Sequence, residues 1–284
     1  MRILVTGLLE LDSGKTSVTA ALVREARAQG VDAIAVKPLG AHSAWYQHDT
    51  LERSIEMKML IGEDAYRLWI ASDKAEPIEL LSPLDMMIAP PELQDIRRLD
   101  SYLFILNNTF KQVVMVRTTK LKGHDITVNH YLVEDIVELA PLTLRQEVIK
   151  LARMVRAKRL ISNKVFDLVM RSIEASDQVL EYLAARHELV IIESFNNATH
   201  PSPSSLLAEK VVLVAPGRAY IFDGREYARV VEDIAKTKGL TITTCDVIRY
   251  VKPLGSVELH PRSEEELDKP REDTRKLLGM LLEG

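Results

Sequence analysis

The sequence contains a single cysteine, Cys245, which excludes an internal disulfide and a metal site built from cysteines. It also lacks any apolar run of about 20 residues, the length that a membrane-spanning helix requires. Acidic residues number 41 and basic residues 37, so no excess of positive charge favours nucleic acid as a partner. We therefore expect a cytoplasmic globular protein whose partners include neither a membrane nor nucleic acid.

The most informative stretch lies near the start of the chain. The apolar run Ile3–Val5 predicts a strand, and Gly14-Lys15-Thr16 opens an amphipathic helix that we expect over Lys15–Gln29. A strand, a loop, Gly-Lys-Thr and a helix in this order are typical of a phosphate-binding loop. Backbone N–H groups at the start of such a helix bind anions, and the helix dipole favours negative charge there.

The spacing of this loop departs from the usual motif, because six residues separate Gly7 from Gly14 where four are usual. A chance Gly-Lys-Thr at a helix start is the alternative interpretation. The flanking strand and helix favour the phosphate site. In such a site Lys15 reaches the outer phosphates and the Thr16 hydroxyl ligates Mg²⁺.

A second buried strand is predicted over Asp32–Val36, and it ends at Lys37-Pro38. Two strands joined by a helix form a βαβ unit, which predicts a parallel sheet with a right-handed crossover.

The polar stretch that follows, residues 41–50, is expected to be a loop at the edge of the sheet where ligands bind. His42 and His48 could form a metal pair, or they could be loop histidines near a nucleotide or substrate. Asp49 could bind a metal ion, cap the next helix as its N-cap residue, or do both.

The middle of the chain is richer in β-forming residues. Ser101–Leu106 and Gln112–Arg117 predict a hairpin, and Ile126–Val133 predicts a third strand. We expect a single domain over residues 1–284 that contains a small antiparallel β insertion at residues 92–140. Its basic residues could form a solvated face or a lid over an anionic substrate: Lys111, Arg117, Lys120 and Lys122.

Helices are predicted over Leu144–Ala157 and Val165–Ala184, and one or two strands over Leu240–Val251. Between these elements, the apolar run Leu189–Ile192 predicts a buried strand that ends at Glu193. An acid in this position binds Mg²⁺ in many phosphate-loop proteins, although glutamates also end strands for other reasons.

Taken in order, these motifs resemble dethiobiotin synthetase and its relatives among the P-loop ATPases, which include the cobyrinic acid amide synthetases. That family has an elongated phosphate loop ending in Gly-Lys-Thr, a Lys-Pro pair after the second strand, an aspartate soon after it, a Glu-Pro…Ser-Pro segment and a strand ending in a metal-binding glutamate. The matching residues are Gly7–Thr16, Lys37-Pro38, Asp49, Glu76-Pro77…Ser82-Pro83 and Glu193.

The resemblance implies a three-layer α/β fold of the P-loop NTPase type, with a mostly parallel sheet and helices on both faces. It implies ATP and Mg²⁺ as cofactors, a small-molecule substrate and a homodimer. Lys15 and Lys37 would be catalytic, with Lys37 facing the γ-phosphate. The implied ATP-binding residues are Asp12, Ser13, Gly14, Lys15, Thr16 and Ser17, and the implied metal ligands are Thr16, Asp49 and Glu193.

The resemblance is incomplete on the substrate side. Glu193 is followed by Ser194-Phe195-Asn196-Asn197 where the family has a Gly-Ala-Gly-Gly turn, and Leu84 stands where the family has a histidine. We therefore expect an ATP-dependent carbon–nitrogen ligase with a substrate other than diaminopelargonate. A regulatory ATPase switch and a small-molecule kinase remain the alternatives.

Overall fold

The computed structural model describes residues 1–10, 12–96, 98–239 and 242–283. Its strands are β1 (Arg2–Gly7), β2 (Ala33–Val36), β3 (Leu39–Ser43), β4 (Leu84–Ile88), β5 (Val113–Lys122), β6 (Asp125–Val133), β7 (Lys158–Leu160), β8 (Leu189–Glu193), β9 (Lys210–Ala215), β10 (Arg218–Asp223) and β11 (Gly255–Glu258). Its helices are α1 (Lys15–Ala28), α2 (His48–Met57), α3 (Glu63–Ala71), α4 (Ile78–Leu81), α5 (Leu99–Leu106), α6 (Glu134–Val137), α7 (Leu142–Met154), α8 (Val165–Ala184), α9 (Gly224–Lys238), α10 (Thr244–Val247) and α11 (Glu272–Leu282).

The chain is an α/β protein that divides into two compact units, each with its own mixed sheet. The first unit comprises residues 1–38, 67–81 and 177–284, and the second comprises residues 39–66 and 82–176. The second unit extends well beyond the expected insertion at 92–140. The expectation of one domain over 1–284 stays a prediction.

The sheet of the first unit has the strand order β11-β10-β9-β1-β8-β2. Strands β2, β8, β1 and β9 are parallel, as the βαβ pattern predicted, and β10 and β11 add an antiparallel edge. The parallel strands are continuous apolar runs because side chains on both faces are buried, as at Leu4 and Val5 of β1. The sheet is therefore mixed: the four parallel strands β9, β1, β8 and β2 are neighbours, and the antiparallel strands β10 and β11 lie beyond β9.

Helix α1 packs on one face of this sheet together with α11. Val18, Leu22 and Ala26 of α1 share a core cluster with Leu277 and Leu281 of α11. Helix α1 ends at Ala28, with Gln29 as its C-cap residue, and Gly30 follows with a left-handed φ of 86°. The Gly30 and Val31 amides close the helix end on the carbonyls of Arg27 and Ala26, at 2.9 and 3.0 Å. This end fixes the turn into β2.

The sheet of the second unit has the order β3-β4-β5-β6-β7, with a long hairpin formed by β5 and β6. The strand predicted over Ile126–Val133 is confirmed as β6. The strand predicted over Ser101–Leu106 is wrong, because this segment belongs to helix α5. Leu99, Leu103 and Leu106 recur at helical spacing, which outweighs the β propensity of the individual residues.

Two further expectations need correction. Residues 41–43, expected in a loop, belong to strand β3. The segment predicted as strand over Leu240–Val251 contains helix α10. This helix begins with a capping box formed by Thr243 and Asp246. Leu240 and Thr241 lie outside the described residues.

The four basic residues of the expected β insertion do not form one exposed surface. Lys111, Lys120 and Lys122 are exposed, but the Arg117 side chain is fully buried. Its Nε donates to the Leu60 carbonyl at 2.7 Å. Both expected roles, a solvated face and a basic lid, are therefore wrong for Arg117. Among the described residues, no helix is both long and apolar enough to cross a membrane.

The close approach of the start of α9 to Ala208, which precedes β9, predicts that two glycines respond differently to substitution by alanine. A Cβ on Gly224 would lie 1.8 Å from the Ala208 carbonyl oxygen, whereas a Cβ on Gly279 inside α11 would meet no atom within 4 Å. We expect Gly224→Ala to lower the free energy of unfolding by about 3 kcal/mol. Gly279→Ala is the matched control and should raise it by about 0.5–1 kcal/mol. Denaturant titration measures both, and equal effects would contradict the packing of α9.

Candidate functional site

The register of the parallel strands brings two side chains of opposite charge to the same edge of the first sheet. Val5 of β1 pairs with Glu193 of β8, and Val36 of β2 pairs with Ile192 of β8. Lys37, which follows Val36, therefore lies beside Glu193. This edge is the carboxyl end of the parallel strands, where open α/β sheets bind ligands.

Glu193 is the centre of this arrangement. Its carboxylate is fully buried, and its Oε1 accepts hydrogen bonds from Lys37 Nζ and from Thr16 Oγ1, the latter at 2.9 Å. The Lys37 side chain is itself only 5% exposed. A buried carboxylate is costly unless a cation and hydrogen-bond donors compensate it, so the three side chains depend on one another.

The loop before α1 has the backbone geometry of an anion site. Gly14 is the N-cap residue of α1 and adopts a left-handed conformation with φ 84°. It has no side chain that could cap the helix, and the first turn of α1 contains no acidic residue. The first backbone N–H groups of a helix have no carbonyl partner within it, and the dipole makes them favourable for an anion.

Lys15 folds back over the end of β1. Its Nζ lies 3.2 Å from Ser13 Oγ, and its side chain is almost fully buried. A Cβ on Gly7 would lie 2.3 Å from Ser13 Oγ and 2.8 Å from Lys15 Nζ. A larger residue at position 7 would therefore displace the Ser13 and Lys15 side chains from these positions.

The other residues expected to bind a nucleotide differ in their surroundings. Asp12 is exposed, with a left-handed φ of 54°. Ser17 Oγ accepts a hydrogen bond from Arg67 Nη2 at 2.9 Å, and Arg67 also pairs with Asp268. These contacts of Arg67 were missed from the sequence because they join residues 50 and 201 positions apart.

The turn after β8 is held by long-range contacts. Ser194 donates its amide to the Val5 carbonyl at 2.9 Å, and Asn196 adopts a left-handed φ of 47°. The Thr244 hydroxyl donates to the Asn197 carbonyl at 2.9 Å. This turn therefore reaches its geometry without the glycines that the resemblance led us to expect.

Asp49 belongs to the second unit and lies in the first turn of α2. The N-cap residue of α2 is Gln47, so the interpretation of Asp49 as the N-cap is wrong. Its carboxylate is 3.7 Å from the Arg53 guanidinium. The role of Asp49 as a metal ligand stays a prediction.

His42 and His48 have different partners within the second unit. His42 lies in strand β3 rather than in a loop and is buried, with its Nδ1 3.3 Å from Asp85 Oδ1. His48 is exposed and contacts Glu147 at 2.7 Å. In the described part of the chain, no group of three or more His, Cys, Asp or Glu side chains is arranged to hold a metal ion.

Comparison with known proteins gives no relative. No protein-family model, no curated protein and no solved structure matches the chain. The functional argument therefore rests on the residues and their geometry.

The burial of the Lys37–Glu193 pair predicts strong energetic coupling between the two side chains. Lys37→Met removes the Lys37 ammonium from beside a buried carboxylate, and Glu193→Gln removes the carboxylate charge from beside a buried ammonium, so each should lower the free energy of unfolding by about 3–5 kcal/mol. The double variant removes both charges and should lose much less than the sum. Denaturant titration of a double-mutant cycle measures this coupling.

The exposed Lys236–Asp233 pair of α9, with an N–O distance of 2.8 Å, is the matched control and should show little coupling. Additive losses for Lys37 and Glu193 would contradict the pairing.

Proposed function

We propose that the protein is a Mg²⁺-dependent ATP-binding and ATP-hydrolysing enzyme, and that it activates a carboxylate or carbamate of a small molecule to form a carbon–nitrogen bond. The observation that carries this proposal is the convergence on Glu193 of Thr16 from the start of α1 and Lys37 from the end of β2. The phosphate-loop motif and the strand-end acid are 177 residues apart in sequence, yet they share one hydrogen bond. A Gly-Lys-Thr sequence present by chance would not be expected to form a hydrogen bond with this acid.

The anion-binding part of the proposed site is the loop from Gly7 to Lys15. The left-handed Gly14, the uncapped first turn of α1 and the buried Lys15 ammonium together favour a polyphosphate. Burial of both faces of the parallel strands also supports the three-layer P-loop arrangement that the resemblance implies. Lys15 would bind the outer phosphates.

The oxygen atoms of Thr16 and Glu193 fit a magnesium ion. Mg²⁺ prefers hydroxyl, carboxylate, phosphate and water oxygens, and it is often held by only one or two protein groups besides substrate phosphates. The ion, when bound, would neutralise charge on the phosphates and orient them. Thr16 and Glu193 would be the groups that hold it in the first unit.

Lys37 is the residue to which we assign the chemistry. Phosphoryl transfer to a carboxylate forms a bond between a carboxylate oxygen and the γ-phosphorus while ADP leaves, and negative charge gathers on the transferred oxygens. A fixed ammonium group in a buried environment stabilises that charge. An amine then forms the carbon–nitrogen bond, phosphate leaves, and the amine loses a proton. A kinase would stop after the first step.

The first test is the binding of ATP. Isothermal titration of ATP with Mg²⁺ should show binding by the wild type and a loss of at least about tenfold in Lys15→Ala, because the lysine supplies the charge for the outer phosphates. Lys236→Ala, an exposed lysine of the same unit, is the matched control and should bind ATP like the wild type. A wild type that binds none of ATP, GTP and CTP would contradict the proposal.

The second test concerns turnover. Phosphate release should rise when a panel of small carboxylic acids and amines is added, and Lys37→Met should abolish this rise while ATP binding survives. Retained ATP binding also shows that the variant is folded. Mass spectrometry of the product separates a ligase from a kinase. Hydrolysis that responds to a protein partner and to no metabolite would support the switch instead.

A further inference from the structure

The second unit contains an apolar helix, α5, of which no residue is buried. Apart from Asp100 and Ser101, all of its eight residues are aliphatic or aromatic. A helix this short is marginal by itself in water, because most helix stability in proteins comes from the packing of an apolar face. A helix that is apolar on most sides is normally a buried one. The composition of α5 therefore indicates that a further surface packs on it.

Five large apolar side chains form an exposed surface that we call the α5 patch. On α5, Leu99 is 63%, Leu103 46% and Phe104 61% exposed, and close to it Phe110 and Phe166 are 36% and 53% exposed. Leu99 and Leu103 are four residues apart on the helix and therefore lie on the same face. The leucine face and Phe104 together make the exposed side of α5 apolar.

Phe110 and Phe166 continue the patch beyond the end of α5. Phe110 lies in the short 3₁₀ turn Thr109–Lys111, and Gln112 after this turn donates from Nε2 to the Leu106 carbonyl of α5 at 2.9 Å. The rings of Phe110 and Phe166 meet edge to face, with their centroids 5.5 Å apart. Since Phe166 is in the first turn of α8, three elements of the second unit contribute to the patch.

The size of the α5 patch matches one side of a stable protein interface. A fully covered aromatic side chain buries about 150–250 Å², so five large side chains at these exposures present on the order of 500 Å² of apolar surface. A standard interface buries about 800 Å² on each partner, and a little more than half of that area is apolar. Exposed apolar patches of this size commonly mark interaction sites.

The charges beside the patch favour a second copy of the chain as the partner. The charged residues nearest to the five side chains in sequence are the basic Arg98, Lys111 and Lys164 and the acidic Asp100 and Asp167. Arg98 and Asp100 have an N–O distance of 3.7 Å. Three basic and two acidic groups leave little net charge, whereas an anionic membrane or a nucleic acid attracts a strongly basic surface. Two copies of so weakly charged a surface can approach without strong repulsion.

We propose that the α5 patch is the interface of a homodimer, in which a second copy of the chain covers the same five side chains about a two-fold axis. In such an isologous interface each copy presents the same surface to the other. An apolar centre with charges at the rim is the usual arrangement in homodimers. The resemblance implies a homodimer but indicates no surface for it. The surface follows here from α5 and its neighbours, and it does not depend on ATP binding.

The first experiment measures the mass of the full-length protein without nucleotide, by light scattering after size exclusion over a range of concentrations. The wild type should reach twice its chain mass of 32.0 kDa. Phe104→Asp should raise the dissociation constant of the dimer at least about a hundredfold, because a two-fold interface receives the buried charge twice. Tyr46→Asp changes an exposed aromatic residue of the same unit outside the patch, so it is the matched control and should dimerise like the wild type.

Hydrogen exchange then identifies the surface that the dimer covers. The amides of residues 99–110 should exchange more slowly in the wild-type dimer than in monomeric Phe104→Asp, because the second copy stabilises α5. The amides of α9, which belongs to the first unit, are the internal control and should exchange equally in both proteins. Phe104 is exposed within one copy, so the variant should keep a cooperative thermal unfolding transition.

Three results would overturn the proposal. These are a wild type that is monomeric at every concentration, a dimer that Phe104→Asp leaves intact, and a dimer in which residues 99–110 exchange as fast as they do in the variant. A monomer that sediments with phosphatidylcholine vesicles, and that loses this binding in Phe104→Asp, would instead assign the patch to a lipid surface.

Discussion

The first unit depends on the burial of one carboxylate. Glu193 has no solvent exposure, so its charge must be compensated by Lys37 and by the Thr16 hydroxyl. These three residues come from the ends of β8 and β2 and from the start of α1. The ion pair therefore joins the ends of β2 and β8, and the Thr16 hydrogen bond joins the start of α1 to the same edge of the parallel sheet. A shift in the register between β2 and β8 would move Lys37 away from Glu193 and break this buried ion pair.

The sequence is a good guide where local pattern and burial agree. The apolar runs of β1, β8 and β9 are strands because both faces of the sheet are buried, and their patterns contain no competing helical period. Helix α8 was predicted with its bounds as observed, over Val165–Ala184. Even the meeting of Lys37 with Glu193 follows once both are placed at the ends of parallel strands. What the sequence could not supply was the strand order, on which that meeting depends.

The sequence fails as a guide where distant residues decide the structure. Ser101–Leu106 has strand-forming residues, but its leucines recur at helical spacing and it belongs to α5, a helix with no buried residue. Arg117 looks like a surface charge in a β hairpin. It is buried because the Leu60 carbonyl, Ser82 and Asp85 all offer it acceptors, at positions that are far from it in sequence. Propensity and charge describe a residue in isolation, whereas the helix at Ser101–Leu106 and the burial of Arg117 depend on the surrounding residues.

Both units bury an acid beside a basic residue, but the two pairs suit different chemistry. In the first unit the partner of Glu193 is a lysine, and a hydroxyl adds to a set of oxygen and nitrogen groups that we propose to bind phosphates and a hard metal ion. In the second unit the partner of Asp85 is an imidazole, and the His42 Nδ1 atom lies 3.3 Å from the carboxylate. The proposed ligase must recognise an amine as well as phosphate, whereas a kinase or a switch needs no amine.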